Sequence, residues 1–561
     1  MATDWQERCA QARAARDATI PKAWLLKNPP SDDVTNVMSV PYTSGLMTDE
    51  ELALTELDAT ELLQRLRKGE IKSYNITLAF CKRAAIAQQV ISHKINCLTY
   101  MFVDEALQRA RELDEYFEKT GKPIGAYHGL PFSIKDHLSI KGKESSTALV
   151  GWLDFKPESD AHVVGILREA GAVFYCKTTM PQSGMHLETS SNIYGRTLNP
   201  FNRKLSCGGS SGGEGALVAF RGSPIGLAAD IGGSIRVPAG NNGLFGAKIT
   251  SGRVPLTGLV HAVMGNDAIP TVLGPVCRSA RDNEYFFKVI LAAEPWKKSH
   301  MVIPLPWRTS ISLPEKLTIG FLWDDGVVRP HPPVTAAMQS LRAKLKALSQ
   351  FEVVDWEPLD HARGYDLIRK LYYPDGAKTI LKAITDSGEP VLPLTQWVTK
   401  ESHVSERTVP ELWKLNVERE VYRRQYLAYF NSRPEVDFLI SPVGPGVAAR
   451  HETARYWGYT AIWNLLDWPA CTFPTGETVS AQAHPKDESY RPRQNEFDSY
   501  NWSNYEPSEY EGAPISLQLI GRKWDDEKVL KVVERLSVVL GLQDAGTRKS
   551  ESIGQTVESK L

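Results

Sequence analysis

Glycine is unremarkable in this chain except in one place, and that place constrains the fold most. There are 41 glycines in 561 residues, yet 13 fall in the 48 residues from Leu205 to Gly252. Two runs stand out there: Cys207-Gly-Gly-Ser210-Ser211-Gly-Gly-Glu214-Gly-Ala216 and Asp230-Ile231-Gly232-Gly233-Ser234-Ile235-Arg236-Val237-Pro238. Glycine permits backbone angles closed to other residues and lets backbone amides approach a ligand. A Gly/Ser cluster is often a linker, but apolar residues such as Ile225-Gly-Leu-Ala-Ala229 interleave with this one and indicate buried turns. A phosphate loop would need Gly-Lys-Ser/Thr, which does not occur. Hydroxyls in tight loops beside exposed N–H groups instead suit acyl transfer, which needs a nucleophile next to an oxyanion hole.

The elements around these runs alternate in type, which predicts an α/β fold. Thr48-Asp-Glu-Glu51 reads as a capping box, Leu62, Leu63 and Leu66 as an apolar helix face, and Gly69 as a helix stop. Helical patterning continues to about 118. A strand is expected at Leu130–Ile134, a helix near 161–170 and a strand at Ala172–Cys176. The same rhythm returns with strands at Thr318–Leu322 and Phe351–Asp355 around a helix at 333–348. Strands are also expected at Phe438–Ile440 and Ile515–Ile520, with a closing helix over 525–540. Length alone would suggest three or four domains at roughly 150 residues each. With no internal repeat or low-complexity linker, one large domain with a central mixed β-sheet flanked by helices is the simplest reading. Residues 1–47 read as an N-terminal helical arm, 48–545 as the main domain, and 546–561 as a flexible tail. Residues 477–511 are polar and tyrosine-rich and read as a surface insertion.

Charge and composition narrow the partners. Lys+Arg number 65 and Asp+Glu 66, so no basic excess supports nucleic-acid binding. No apolar run is long enough to span a membrane. The seven cysteines are scattered and never form C-x-x-C, which suggests buried thiols in an intracellular protein and no zinc site. Ser559-Lys560-Leu561 matches the peroxisomal import tripeptide, so a peroxisomal location through the import receptor is expected, with the cytoplasm as the alternative.

Two other site chemistries fit parts of the sequence. Gly208-Gly-Ser210-Ser-Gly212 satisfies G-x-S-x-G, the motif of an α/β-hydrolase esterase with a Ser-His-Asp triad. That motif should follow a strong apolar strand, whereas Pro200-Phe-Asn-Arg-Lys-Leu-Ser206 precedes it here. None of the twelve histidines has a distinctive setting, so His137 and His186 are read as structural. Gly444-Pro-Gly446-Val-Ala-Ala449 weakly matches a dinucleotide loop, but Pro445 spoils the turn.

Together with Gly129-Leu-Pro-Phe-Ser-Ile-Lys135-Asp136, the two glycine-serine runs resemble those of the amidase signature family. The resemblance covers about 48–545, with a signature core of about 125–285. The arm, the Lys177-Thr-Thr-Met-Pro-Gln-Ser183 segment and the polar insertion look most like fungal acetamidases, with fatty acid amide hydrolases as near relatives. The family implies an amidase with a Ser-Ser-Lys triad: Lys135 as base, Ser210 as bridge, preceded by a cis peptide, and Ser234 as nucleophile forming an acyl-enzyme. It implies substrate contacts at Gly184 and Ser210, and oxyanion contacts at the amides of Ile231, Gly232, Gly233 and Ser234. No metal or cofactor is implied; the partner is a small-molecule amide, and a homodimer stays open. Ser211, Asp230 and Arg236 are expected to brace the loops. Lys135 can act as a base only when neutral, and the end of an apolar strand (Leu130, Phe132, Ile134) would desolvate it. A complex-bound subunit that supplies ammonia, as in the amidotransferase relatives, is the competing reading. Tyr456, Trp457, Tyr459 and Trp463 are left open between lining an acyl pocket and packing the core.

Overall fold

The computed structural model describes residues 5–89, 95–401 and 403–542. Continuous apolar runs become strands buried on both faces, which is how a sheet covered by helices reads in sequence. Eleven strands join in one mixed sheet, the edge strand Phe351–Asp355 and the end of Ala470–Thr478 being partly exposed. They are β1 (Leu98–Met101), β2 (Pro131–Lys135), β3 (Val173–Thr178), β4 (Ile225–Asp230), β5 (Phe245–Lys248), β6 (Val272–Cys277), β7 (Leu317–Phe321), β8 (Phe351–Asp355), β9 (Phe438–Pro442), β10 (Ala470–Thr478) and β11 (Pro514–Ile520). Their spatial order is β1-β3-β2-β4-β6-β5-β10-β11-β9-β7-β8. The strands β3, β2 and β4 run parallel, with Ser133 opposite Gly226 and Ile134 opposite Leu227. Their C-terminal ends therefore bring Thr178, Lys135 and Asp230 to one edge. That edge is where open α/β sheets bind ligands.

The helix predicted from the capping box runs Asp49–Glu56, with Thr48 and Glu51 capping each other reciprocally. The next, Ala59–Arg67, buries Leu62, Leu63 and Leu66, and Gly69 follows in a left-handed conformation. The helical reading to about 118 missed β1, a four-residue edge strand antiparallel to β3. A strand that short has too few alternations to register as a pattern. The polar 477–511 segment is more than surface. It forms a helix at Glu496–Ser503, buries Tyr505 and Tyr510, and packs them on Leu205 and Ala448. Asp498 accepts the N–H groups of Arg329 and Arg493, at 2.8 and 2.7 Å. A buried tyrosine-and-carboxylate network is indistinguishable by composition from a solvated loop.

Trp5–Ala18 forms a helix, and Arg13 donates to the Ile193 carbonyl at 2.7 Å. All seven cysteines are buried free thiols. No helix among the described residues is long and apolar enough to cross a membrane. The expected tail 546–561, with Ser559-Lys560-Leu561, lies outside the described residues.

The C-terminal helix Asp526–Val539 is tied to the segment after β5 by Arg253. This arginine reaches Asp526 at 3.1 Å and Glu527 at 2.9 Å, all three side chains being fully buried. Removing one partner of a buried pair strands the other charge, at a cost of about 3–5 kcal/mol. Arg253→Met should lower unfolding stability by that amount in urea titrations, whereas Lys316→Ala, at an exposed pair with Glu352, should change it by less than about 1 kcal/mol.

Candidate active site

The two serine loops meet at the edge where β2 and β4 end. Ser210 lies between β3 and the helix Gly212–Ala219; the Gly209–Ser210 peptide before it is cis, as the resemblance implied. Gly213 is required sterically, because a Cβ there would lie 2.5 Å from the backbone nitrogen of Thr179. Ser234 follows β4 directly. The turn between them needs Gly233 at φ +137°, and a Cβ there would meet Thr460 Oγ1 at 2.4 Å. The Ser211 N–H donates to the Ser234 carbonyl at 3.3 Å and joins the loops.

Lys135 Nζ donates to Ser210 Oγ at 2.7 Å, and Lys135 has no exposed surface. Burial pulls its ammonium from the ordinary 10.5 to about 7, against the opposing pull of the Asp230 and Glu214 carboxylates. Burial also pushes the Glu214 carboxyl up to about 8, opposed by the hydroxyls of Ser133 and Thr178 and by Lys135. Thr178 bonds Glu214 at 2.8 Å. The G-x-S-x-G serine is thus paired with a lysine, which removes the geometric basis for a Ser-His-Asp site at Ser210.

Asp230 organises the second loop. Its carboxylate accepts the N–H groups of Gly233 at 2.8 Å and Ile235 at 3.1 Å, and two guanidinium contacts from Arg236 at 3.1 Å. Burial alone would push its pKa up, but Arg236 and Asn464 outweigh that and hold it at about 2. The Gly233 amide is thus tied to the Asp230 carboxylate. The amides of Ile231, Gly232 and Ser234 donate to no protein group among the described residues. Tyr372 Oη donates to the Ile231 carbonyl at 3.0 Å and Thr460 Oγ1 to the Gly232 carbonyl at 2.7 Å. These two contacts fix the peptide planes of the loop. Ser211 also serves as a brace, with Oγ 3.3 Å from the Ala229 carbonyl.

Lys135, Ser210, Ser234, Ile231 and Gly184 line one cleft. Ile231 and Ser234 also line a small pocket with Gly232, Tyr372 and Trp457, and Trp457 lines a second cavity as well. The Gly444–Ala449 segment lines that second cavity with Tyr456, Trp457 and Tyr500. The four aromatics left open by the sequence divide accordingly. Tyr456 and Trp457 line cavities, while Tyr459 and Trp463 pack the core, Trp463 stacked on Trp468.

Several residues of the site carry no sequence signal on their own. Tyr372, Thr460, Asn464 and Gln518 are brought in from elements far along the chain. Only the spacing of Thr460 and Asn464, i and i+4 on the helix Gly458–Leu466, hinted at a shared face. His137, read as structural, lines the cleft with Lys135, whereas His186 lines the small pocket.

Comparison with known proteins agrees with this architecture. The amidase family profile matches residues 75–530. The chain is 44% identical over 541 residues to a Schizosaccharomyces pombe protein named as an amidase, covering 96% of this chain and all of that one. It is 40% identical over 553 residues to an acetamidase of Emericella nidulans, covering 96% and 99% of the two chains. The solved structure of a fatty acid amide hydrolase superposes with a TM-score of 0.92 at 36% identity, covering 96% of this chain and 95% of that one. The chain belongs to the amidase signature family. Its activity is that class's activity, the hydrolysis of amides.

Burial of Lys135 carries a stability cost whose pH dependence has a definite sign. A pKa lowered from 10.5 to about 7 means the unfolded chain holds this proton more tightly. The contribution to stability is fully present above pH 10.5, falls as the pH drops toward 7, and is lowest below that. Lys135→Met should raise the melting temperature near neutral pH, by the equivalent of a few kcal/mol. The gap from wild type should close as the pH approaches 10.5, measured by thermal unfolding across pH.

Proposed function

We propose that the enzyme cleaves the C–N bond of a carboxylic amide through an acyl-enzyme on Ser234, with Ser210 and Lys135 relaying the proton. The observation that carries this reading is the 2.7 Å contact from a fully buried lysine to Ser210, on the cleft that also holds Ser234. A serine hydroxyl needs a base within reach to attack an amide. With its pKa near 7, Lys135 supplies enough neutral amine to act as that base at physiological pH.

The Ser234 proton passes to Ser210 Oγ as the proton of Ser210 passes to Lys135 Nζ. Rotation of the Ser234 hydroxyl toward Ser210 closes this relay. The Ser234 oxygen bonds to the carbonyl carbon, and the resulting oxyanion is held by the amides of Ile231, Gly232 and Ser234. Each such donor is worth roughly 3 kcal/mol in the transition state. Collapse breaks the C–N bond, and the departing ammonia or amine takes its proton back through Ser210 from Lys135. Water then attacks the Ser234 ester through the same relay and releases the carboxylate. Gly184, at φ +72° on the cleft wall, lets substrate pass close to the backbone.

The near full-length similarity to acetamidases favours a hydrolase acting alone over an ammonia-supplying subunit. Ser234→Ala should lower kcat by at least about 10⁴-fold and abolish the acyl adduct seen by intact mass. In the wild type, kcat/KM should rise with pH through an apparent pKa near 7 and level off above it, because only the neutral lysine accepts the proton. Lys135→Ala should remove that limb. Wild-type turnover by Ser234→Ala would refute the mechanism.

A further inference from the structure

We propose that Tyr372 is a positioning residue for the oxyanion site: by holding the Ile231 carbonyl, its hydroxyl aims the Gly232 N–H at the oxygen that becomes negative when Ser234 attacks. This inference rests on the acyl-enzyme reading and deepens it. It assigns part of the transition-state stabilisation to a residue outside the motifs that carry the family resemblance.

Peptide geometry ties the two groups together. In a trans peptide the carbonyl of one residue and the N–H of the next lie in one plane and point in opposite directions. The peptides of the Asp230–Ser234 turn are trans. A group that fixes the Ile231 carbonyl therefore also fixes the Gly232 N–H, on the opposite edge of the same plane.

The turn contains two such planes in succession, and they are held differently. The Gly232–Gly233 peptide is pinned at both edges: Thr460 Oγ1 donates to the Gly232 carbonyl at 2.7 Å, and the Gly233 N–H donates to Asp230 at 2.8 Å. In the Ile231–Gly232 peptide, Tyr372 Oη donates to the carbonyl at 3.0 Å, while the N–H donates to no protein group among the described residues. That plane is held at its carbonyl edge and open at its N–H edge. Gly232 shares the wall of a small pocket with Ser234. A fixed donor left open beside a nucleophile is what an oxyanion requires.

The surroundings of Tyr372 keep its hydroxyl in place. Tyr372 ends the helix His361–Tyr372 and is 4% exposed. Asn266 Nδ2 donates to its carbonyl at 3.1 Å and to that of Leu371 at 3.2 Å, which anchors the helix end. Burial holds the phenol well above the ordinary tyrosine range, with the Asp230 carboxylate adding to the effect, so the hydroxyl stays protonated and remains a donor. Glycine at 232 makes room for it, because a Cβ there would lie 2.5 Å from Tyr372 Oη.

Tyr372→Phe keeps the ring and removes the hydroxyl. For whichever of acetamide, hexanamide and benzamide the wild type hydrolyses fastest, it should lower kcat about 10- to 100-fold and leave KM within about threefold. Affinity for phenylboronic acid, which adds to a serine as a tetrahedral anion, should fall by a similar factor. Tyr505→Phe takes a tyrosine hydroxyl from the His484 carbonyl at 2.6 Å and should leave kcat within about twofold. Gly232→Ala should also lower kcat, and should cost at least about threefold less in the Tyr372→Phe background, where its methyl no longer meets a hydroxyl. Unchanged kcat in Tyr372→Phe, a loss confined to KM, an equal loss in Tyr505→Phe, or boronate affinity that is the same in both proteins or absent from both overturns the role. If no amide is hydrolysed, the boronate affinities decide. If Tyr372→Phe does not fold, the same readings on Gly232→Ala against wild type decide. Should Tyr372→Phe match wild type while Ser234→Ala is inactive, the positioning role fails and the hydrolytic mechanism stands.

Discussion

The site depends on one buried ion pair, Asp230 with Arg236, both without exposed surface. Two charges removed from water repay their desolvation only if their remaining hydrogen-bonding capacity is satisfied. Asp230 meets that demand with the Gly233 and Ile235 amides and the Asn464 side chain at 2.9 Å. Arg236 meets it with the Thr460 carbonyl at 3.0 Å and the Gln518 side chain at 3.2 Å. Every one of those contacts also fixes something else: the Ser234 turn, the helix Gly458–Leu466, and strand β11. Satisfying the ion pair therefore locks the Ser234 loop to the C-terminal half of the sheet. The contribution is positional accuracy more than net stability.

The same economy applies to Lys135. A lysine placed in a fully buried position destabilises the protein while charged, and that penalty brings its pKa to about 7. Asp230 and Glu214 set how far the shift goes, since both carboxylates oppose the desolvation. In the proposed mechanism, function and stability therefore pull in opposite directions at Lys135.

Ser234 lines both the main cleft and a small pocket with Gly232, Tyr372 and Trp457. Tyr372 lines that pocket and donates to the Ile231 carbonyl. One residue thus holds the Ile231–Gly232 peptide and walls the pocket beside it. The 477–511 segment contributes Phe497, Tyr500, Asn501 and Asn504 to the wall of another cavity.

Much of the architecture was legible in sequence because it rests on local rules. Strands β2, β7, β8 and β11 follow from apolar runs, the Asp49–Glu56 helix from its capping box, and the serine loops from glycines that only close backbone approach explains. Lys135, Ser210 and Ser234 were legible because the motifs around them are contiguous. The converging residues were not. Tyr372, Thr460, Asn464 and Gln518 lie 130 or more positions from the serine loop they hold, and nothing local marks a tyrosine or an asparagine as a brace. Composition could not separate Tyr456 and Trp457, which line cavities, from Tyr459 and Trp463, which fill the core, since burial depends on what packs opposite. Nor could it show that the Gly233 amide donates to Asp230. The sequence by itself determined which chemical groups the site has and the loops that carry them. Only the tertiary structure decided which are buried, paired or left open, because desolvation and hydrogen-bond satisfaction are set by neighbours distant in the chain.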